Sequence, residues 1–132
     1  MRHPKFIKWE KNLKRIIDNL DDILEDKYGD RFQLHPARSP RGKTSSKAQD
    51  GLFDIVANYS LGIGSKHGKG YIVDIHMSTL KHIPFEIRQE IDEIILITLR
   101  EKLPECFPGK NLNVAKEANV IKIYGDLNLG TV

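Results

Sequence analysis

Two stretches of apolar/polar alternation, separated by a glycine-rich segment, most constrain what this chain can fold into. Phe53, Ile55, Ala57, Tyr59 and Leu61 take one side of an extended strand; Asp54, Val56, Asn58 and Ser60 take the other. Tyr71, Val73, Ile75 and Met77 repeat the pattern against Ile72, Asp74, His76 and Ser78. The connecting residues 62–70 include four glycines, which tolerate the backbone angles of a tight reversal, so the two runs form an antiparallel hairpin. Pairing like faces places Asn58 opposite Asp74 and Val56 opposite His76. A lone hairpin is barely stable in water, so the rest of the chain must cover its apolar face.

The covering elements are legible. Phe6, Trp9, Leu13, Ile16, Ile17, Leu20, Ile23, Leu24 and Tyr28 follow the i, i+3, i+4, i+7 stripe of an amphipathic helix over residues 6–28, stopped at Gly29. A second helix starts at Pro84. Glu86 and Glu90 near its start and Arg100 and Lys102 near its end agree with the helix dipole. Pro104 and the turn at Phe107, Pro108 and Gly109 follow its apolar stripe. Leu112 to Val114 and Val120 to Tyr124 read as two further strands, turning at Glu117, Ala118 and Asn119. The order α-β-β-α-β-β implies an α+β two-layer sandwich: a mostly antiparallel sheet of three or four strands, with both helices on one face. At 132 residues a single domain, 1–132, is expected.

Charge is unevenly placed. Lys5, Lys8, Lys11, Lys14 and Arg15 fill the first half of the first helix; Asp18, Asp21, Asp22, Glu25 and Asp26 fill the second. This opposes the helix dipole, so packing along the stripe must hold the helix. An antiparallel copy would match opposite charges, which makes a homodimer through helix 6–28 and the broad apolar side of residues 94–103 one expectation. Between Asp30 and Asp50, Arg31, Arg38, Arg41, Lys43 and Lys47 occur without an acid. That segment carries +5 of a net +3, leaving 16 cations against 18 anions elsewhere. Residues 30–50 also hold Pro36, Pro40 and Gly42 and lose apolar periodicity after Leu34, reading as a long mobile basic loop.

Several function classes are excluded or unsupported. The longest aliphatic run is four residues, far short of a spanning helix, so no membrane partner is expected. The N-terminus lacks the apolar core of a secretory signal, which points to the cytoplasm. Cys106 is the single cysteine, which excludes an intrachain disulfide and a cysteine-rich zinc site. No Walker loop or dinucleotide fingerprint fits the glycines of residues 62–70, and no HExxH or ordered Ser-His-Asp pattern is present. No metal and no cofactor is expected.

Three constellations remain. Arg38, Arg41, Lys43 and Lys47, helped by Lys66, His67 and Lys69 at the hairpin tip, have the composition of a segment that neutralises phosphates. A small non-enzymatic protein binding RNA or another polyanion is the leading functional expectation. A homodimeric structural or assembly subunit is the second. The third is an enzyme or metal site on the polar hairpin face at Asp54, Asp74 and His76, where two carboxylates and an imidazole would share one side. Strand alternation alone accounts for that last pattern.

Overall fold

The computed structural model of the chain describes residues 4–61, 68–117 and 120–125. Helix α1 spans Pro4–Tyr28, strand β1 Phe53–Ser60, strand β2 Gly70–Met77, helix α2 Phe85–Cys106, strand β3 Leu112–Glu117 and strand β4 Val120–Gly125. A single 3₁₀ turn, Lys47–Gln49, interrupts the loop before β1. The strands form one antiparallel sheet in the order β1-β2-β4-β3. After β2, α2 carries the chain across the sheet to its far edge, and β4 then fills the gap between β2 and β3. This is the expected α+β order, with β1 and β3 as the edges.

Both helices cover one face. α1 lies against β1 and α2 against β3, and the helices also touch each other. Trp9, Leu13, Ile16, Ile17, Leu20, Leu24 and Tyr28 of α1 are buried, as are Ile91, Ile95, Leu96, Leu99 and Leu103 of α2. They meet Phe53, Ile55, Tyr71, Val73, Ile121 and Ile123 from the sheet. Trp9 stacks on Phe107 with ring centroids 4.0 Å apart. The Tyr28 hydroxyl donates to Glu90, which also pairs with Lys27 at 3.1 Å, tying the two helices together. α1 ends where expected. The Gly29 amide donates to the Glu25 carbonyl at 2.8 Å, and a β-carbon at Gly29 would crowd that same oxygen.

Two sequence expectations, the hairpin register and the place of Leu61, differ from the structure. The hairpin register is displaced by two residues: Asp54 lies opposite His76, Val56 opposite Asp74 and Asn58 opposite Ile72. An even shift keeps the same faces together, so alternation fixes the face and leaves the register open. Leu61 falls outside β1 and is 70% exposed. Helix α2 runs through Pro104 to Cys106, and the Phe107 amide donates to the Leu103 carbonyl at 2.8 Å. A proline this late in the helix forfeits a single backbone bond, while buried Leu103 and Phe107 anchor the turn on either side.

The surfaces expected to pair two copies are engaged within the chain. The α1 stripe is packed on its own sheet, and of residues 94–103 the large apolar side chain left exposed is Ile97, at 46%.

Candidate functional site

The basic loop is folded onto α1. Arg41 pairs with Asp26 at 2.9 Å and Asp22 at 3.2 Å, and Lys47 pairs with Asp22 at 2.8 Å. The hydrogen bond from Lys47 leads in holding the Asp22 carboxyl below the ordinary carboxylate range, and Arg41 adds to it. The inverted charge order of α1 thus has an intramolecular partner, the loop that follows. Arg38 turns inward, its guanidinium donating to the carbonyls of Gly51 (2.9 Å), Asp50 (3.0 Å) and Phe53 (3.2 Å). Burial alone would raise the Asp50 carboxyl. The Thr44 amide and hydroxyl and the Gly42 amide outweigh it and hold the group low. Lys43 and Lys69 are exposed, while Lys66 and His67 lie outside the described residues.

The same loop covers one end of the β1 edge. Phe53 directs its amide to Glu25 Oε2 at 3.0 Å and its carbonyl to Arg38, both away from β2. Leu52, by contrast, turns its carbonyl toward the β2 side, accepting from the Ser78 amide at 2.7 Å. In an antiparallel ladder these directions alternate. With the unbroken register of β1, the amides and carbonyls of Ile55, Ala57 and Tyr59 therefore point outward along the free edge. Among the described residues, no hydrogen bond from outside the sheet reaches these three.

That edge forms one wall of a groove of about 320 Å³. Ile55, Val56, Ala57 and Asn58 line it on one side, α1 residues including Leu13, Ile17 and Asp21 on the other, and Ser46 with Lys47 close one end. The volume lies at the lower bound of small-ligand sites. α1 runs antiparallel to β1: Glu25 holds the amides of Leu52 and Phe53 at one end, and Trp9 packs on Tyr71 at the other, beneath Tyr59.

Asp21 sits within this groove at 4% exposure. No hydrogen bond or ion pair reaches its carboxyl among the described residues. Burial, followed by the negative charge of Glu25, lifts it from 3.8 to about 7, while Lys47 and Arg41 pull more weakly the other way. A buried, unpaired carboxyl lining a cleft is a common mark of a binding or proton-transfer site.

The polar hairpin face assembles differently. Asp54 and His76 are directly opposed and Asp74 lies opposite Val56, on the sheet face away from both helices. One Asp54 oxygen is buried without a partner among the described residues, and His76 and Asp74 are exposed. No group of three or more His, Cys, Asp or Glu suited to a metal ion occurs among the described residues. Among those residues, no helix is long and apolar enough to cross a membrane.

A protein family described as "Uncharacterised protein" matches residues 4–125. The chain belongs to that family. It is similar to an "Uncharacterized protein" of Borreliella burgdorferi, 35% identical over 125 residues, which cover 95% of this chain and 98% of the relative. No solved structure matches the chain significantly. The family match takes in α1, both walls of the groove and every strand.

Sequence reasoning missed Asp21 and Glu25, although a signal was present in the family-matched helix. Asp21 stands four residues after Ile17 and three before Leu24, and Glu25 three before Tyr28, so both acids fall on the apolar stripe. Burying an acid is costly unless it is paired; here one holds backbone amides and the other has no partner among the described residues.

Proposed function

We propose that this protein is a non-enzymatic binding module that takes an extended segment of another protein into the groove between α1 and β1, adding it as a strand to the sheet. The observation that carries this reading is the outward run of Ile55, Ala57 and Tyr59, whose backbone groups have no partner from outside the sheet among the described residues, with Ile55 and Ala57 lining the groove. Strand addition gains affinity from main-chain hydrogen bonds and specificity from pockets for alternate side chains, and Leu13 and Ile17 supply apolar surface for those side chains. Unprotected edges invite aggregation, so proteins ordinarily cover or charge them. This chain covers one end of the β1 edge with its own loop and, among the described residues, leaves Ile55 and Ala57 uncovered beside a helix.

Display of random dodecapeptides against the immobilised protein tests the reading. An enriched peptide is expected to shift the amide resonances of residues 55–59 and the methyl resonances of Leu13 and Ile17, and to lose at least tenfold in affinity against Ala57→Pro. No enrichment over blank matrix, or shifts confined elsewhere, would overturn it. The polyanion reading of residues 31–49 competes with this one. It rests on the exposed Lys43 and Lys69 and on Arg41 and Lys47 exchanging Asp22 and Asp26 for phosphate. It predicts RNA affinity that falls steeply with salt and with neutralisation of Arg38, Arg41, Lys43 and Lys47.

A further inference from the structure

We infer that Asp21 selects the docked segment by requiring a cationic side chain, a lysine, at one fixed position near the closed end of the groove. The inference rests on the strand-addition reading and goes beyond it by naming the chemistry of the partner. Asp21 is buried, unpaired among the described residues, and part of the groove wall. The groove's other charges are largely committed. Lys14 is held by Asp18 at 3.1 Å and Lys47 by Asp22 at 2.8 Å. A buried carboxylate without a hydrogen-bond donor is costly, and an incoming ammonium would relieve that cost. A carboxylate or phosphate at that position would meet Asp18 and Asp21 and be repelled.

The geometry also gives the interaction a pH dependence. Facing Asp21 are Glu25, Asp22, Asp18 and Lys14 of α1, and Lys47, Arg41 and Asp50 of the loop. From the sheet the groove offers Asn58 and Tyr71. No histidine is among these groups. With the Asp21 carboxyl titrating at about 7, a lysine-bearing segment must expel a proton to bind at pH 6 and needs none at pH 8. Affinity should therefore rise about tenfold from pH 6 to pH 8, the ratio set by one group titrating midway.

Peptides are selected from a random dodecapeptide library against the wild-type protein and, in parallel, against Asp21→Asn. An enriched peptide and its norleucine-for-lysine counterpart are then titrated by fluorescence anisotropy at pH 6 and pH 8. The expected result is a lysine at one position in the wild-type selection, at least tenfold tighter binding than the norleucine peptide at pH 8, and loss of both that preference and the pH dependence in Asp21→Asn. Peptides that occupy the groove without a fixed cation, or with the same preference in Asp21→Asn, would overturn the inference and leave strand addition standing. Absence of any groove binder would remove both. Sedimentation giving a dimer in which the same amides become protected would place a second copy there and likewise overturn it.

Discussion

Phe53 and Ala57 turn the same backbone groups toward the same edge of one strand, and the molecule treats them in opposite ways. At Phe53 the amide is held by buried Glu25 and the carbonyl by Arg38, each reaching across from another part of the chain. At Ala57 neither group has a partner from outside the sheet among the described residues, and a groove stands where one would be. A buried carboxylate, a half-buried guanidinium and a long loop are engaged to finish the first end.

Proline substitution tests the contrast most severely. Val56→Pro removes an amide that the alternation directs into the ladder with β2, and should cost about 3 kcal/mol or more, enough to lose the cooperative thermal transition. Ala57→Pro removes an outward amide, a position where edge strands accept proline, and should leave the fold intact while weakening peptide binding. Equal destabilisation of the two variants in urea would show that the alternation assigned to β1 is wrong.

Glu25→Ala breaks the finished end. It leaves the buried amides of Leu52 and Phe53 without an acceptor, for a loss of roughly 2–4 kcal/mol. Glu25→Gln should recover part of this. Gly51, at a backbone φ of +75°, lies so close to the Glu25 carboxylate that an added β-carbon would collide with it, so Gly51→Ala should be similarly damaging.

Asp21→Asn sharpens the contrast from the groove side. In the unfolded chain this carboxyl titrates near 3.8 and in the folded chain near 7, so between those values the folded state holds a proton that the unfolded state releases. Its contribution to stability is complete below pH 4, declines through the interval and is lost above pH 7. The asparagine variant escapes that loss. It should match the wild type at low pH and exceed it at pH 8 by about 1–4 kcal/mol, read from denaturant midpoints. A residue that weakens the free protein at neutral pH is the pattern expected of a binding group.

The smallest effects belong to the loop cations. Arg41 and Lys47 form partly exposed ion pairs, so Arg41→Ala and Lys47→Ala should each cost less than about 1 kcal/mol, a difference that shrinks in high salt. A larger cost would mean that the loop, and not α1, organises the covered end of β1.

Much of this architecture is legible in the sequence because it is written in periodicity. The stripe of α1, the alternation of β1 and β2 and the order of elements all follow from where apolar residues recur. Long-range pairing is not written that way. Nothing local at Arg38 distinguishes a guanidinium that caps three carbonyls from one that awaits a phosphate. Nothing in Arg41 and Lys47 reveals that the anionic half of α1, many residues earlier, is their partner. The two-residue register displacement has the same origin, since it leaves every apolar face where the pattern put it. Asp21 and Glu25 were readable as acids on an apolar stripe, but the stripe does not say which would be satisfied and which left open.

In the strand-addition proposal Ala57 and Tyr59 offer unpaired amides to an incoming strand, whereas Phe53 does not. Amide hydrogen exchange, measured by NMR on the monomeric protein with and without a selected peptide, tests it directly. The Phe53, Val56 and Asn58 amides should be protected from the start. The Ala57 and Tyr59 amides should exchange rapidly in the free protein and become protected only when the peptide is bound. Ala57 and Tyr59 amides already as slow as that of Phe53 in the free monomer, or unchanged by a saturating peptide, would contradict it.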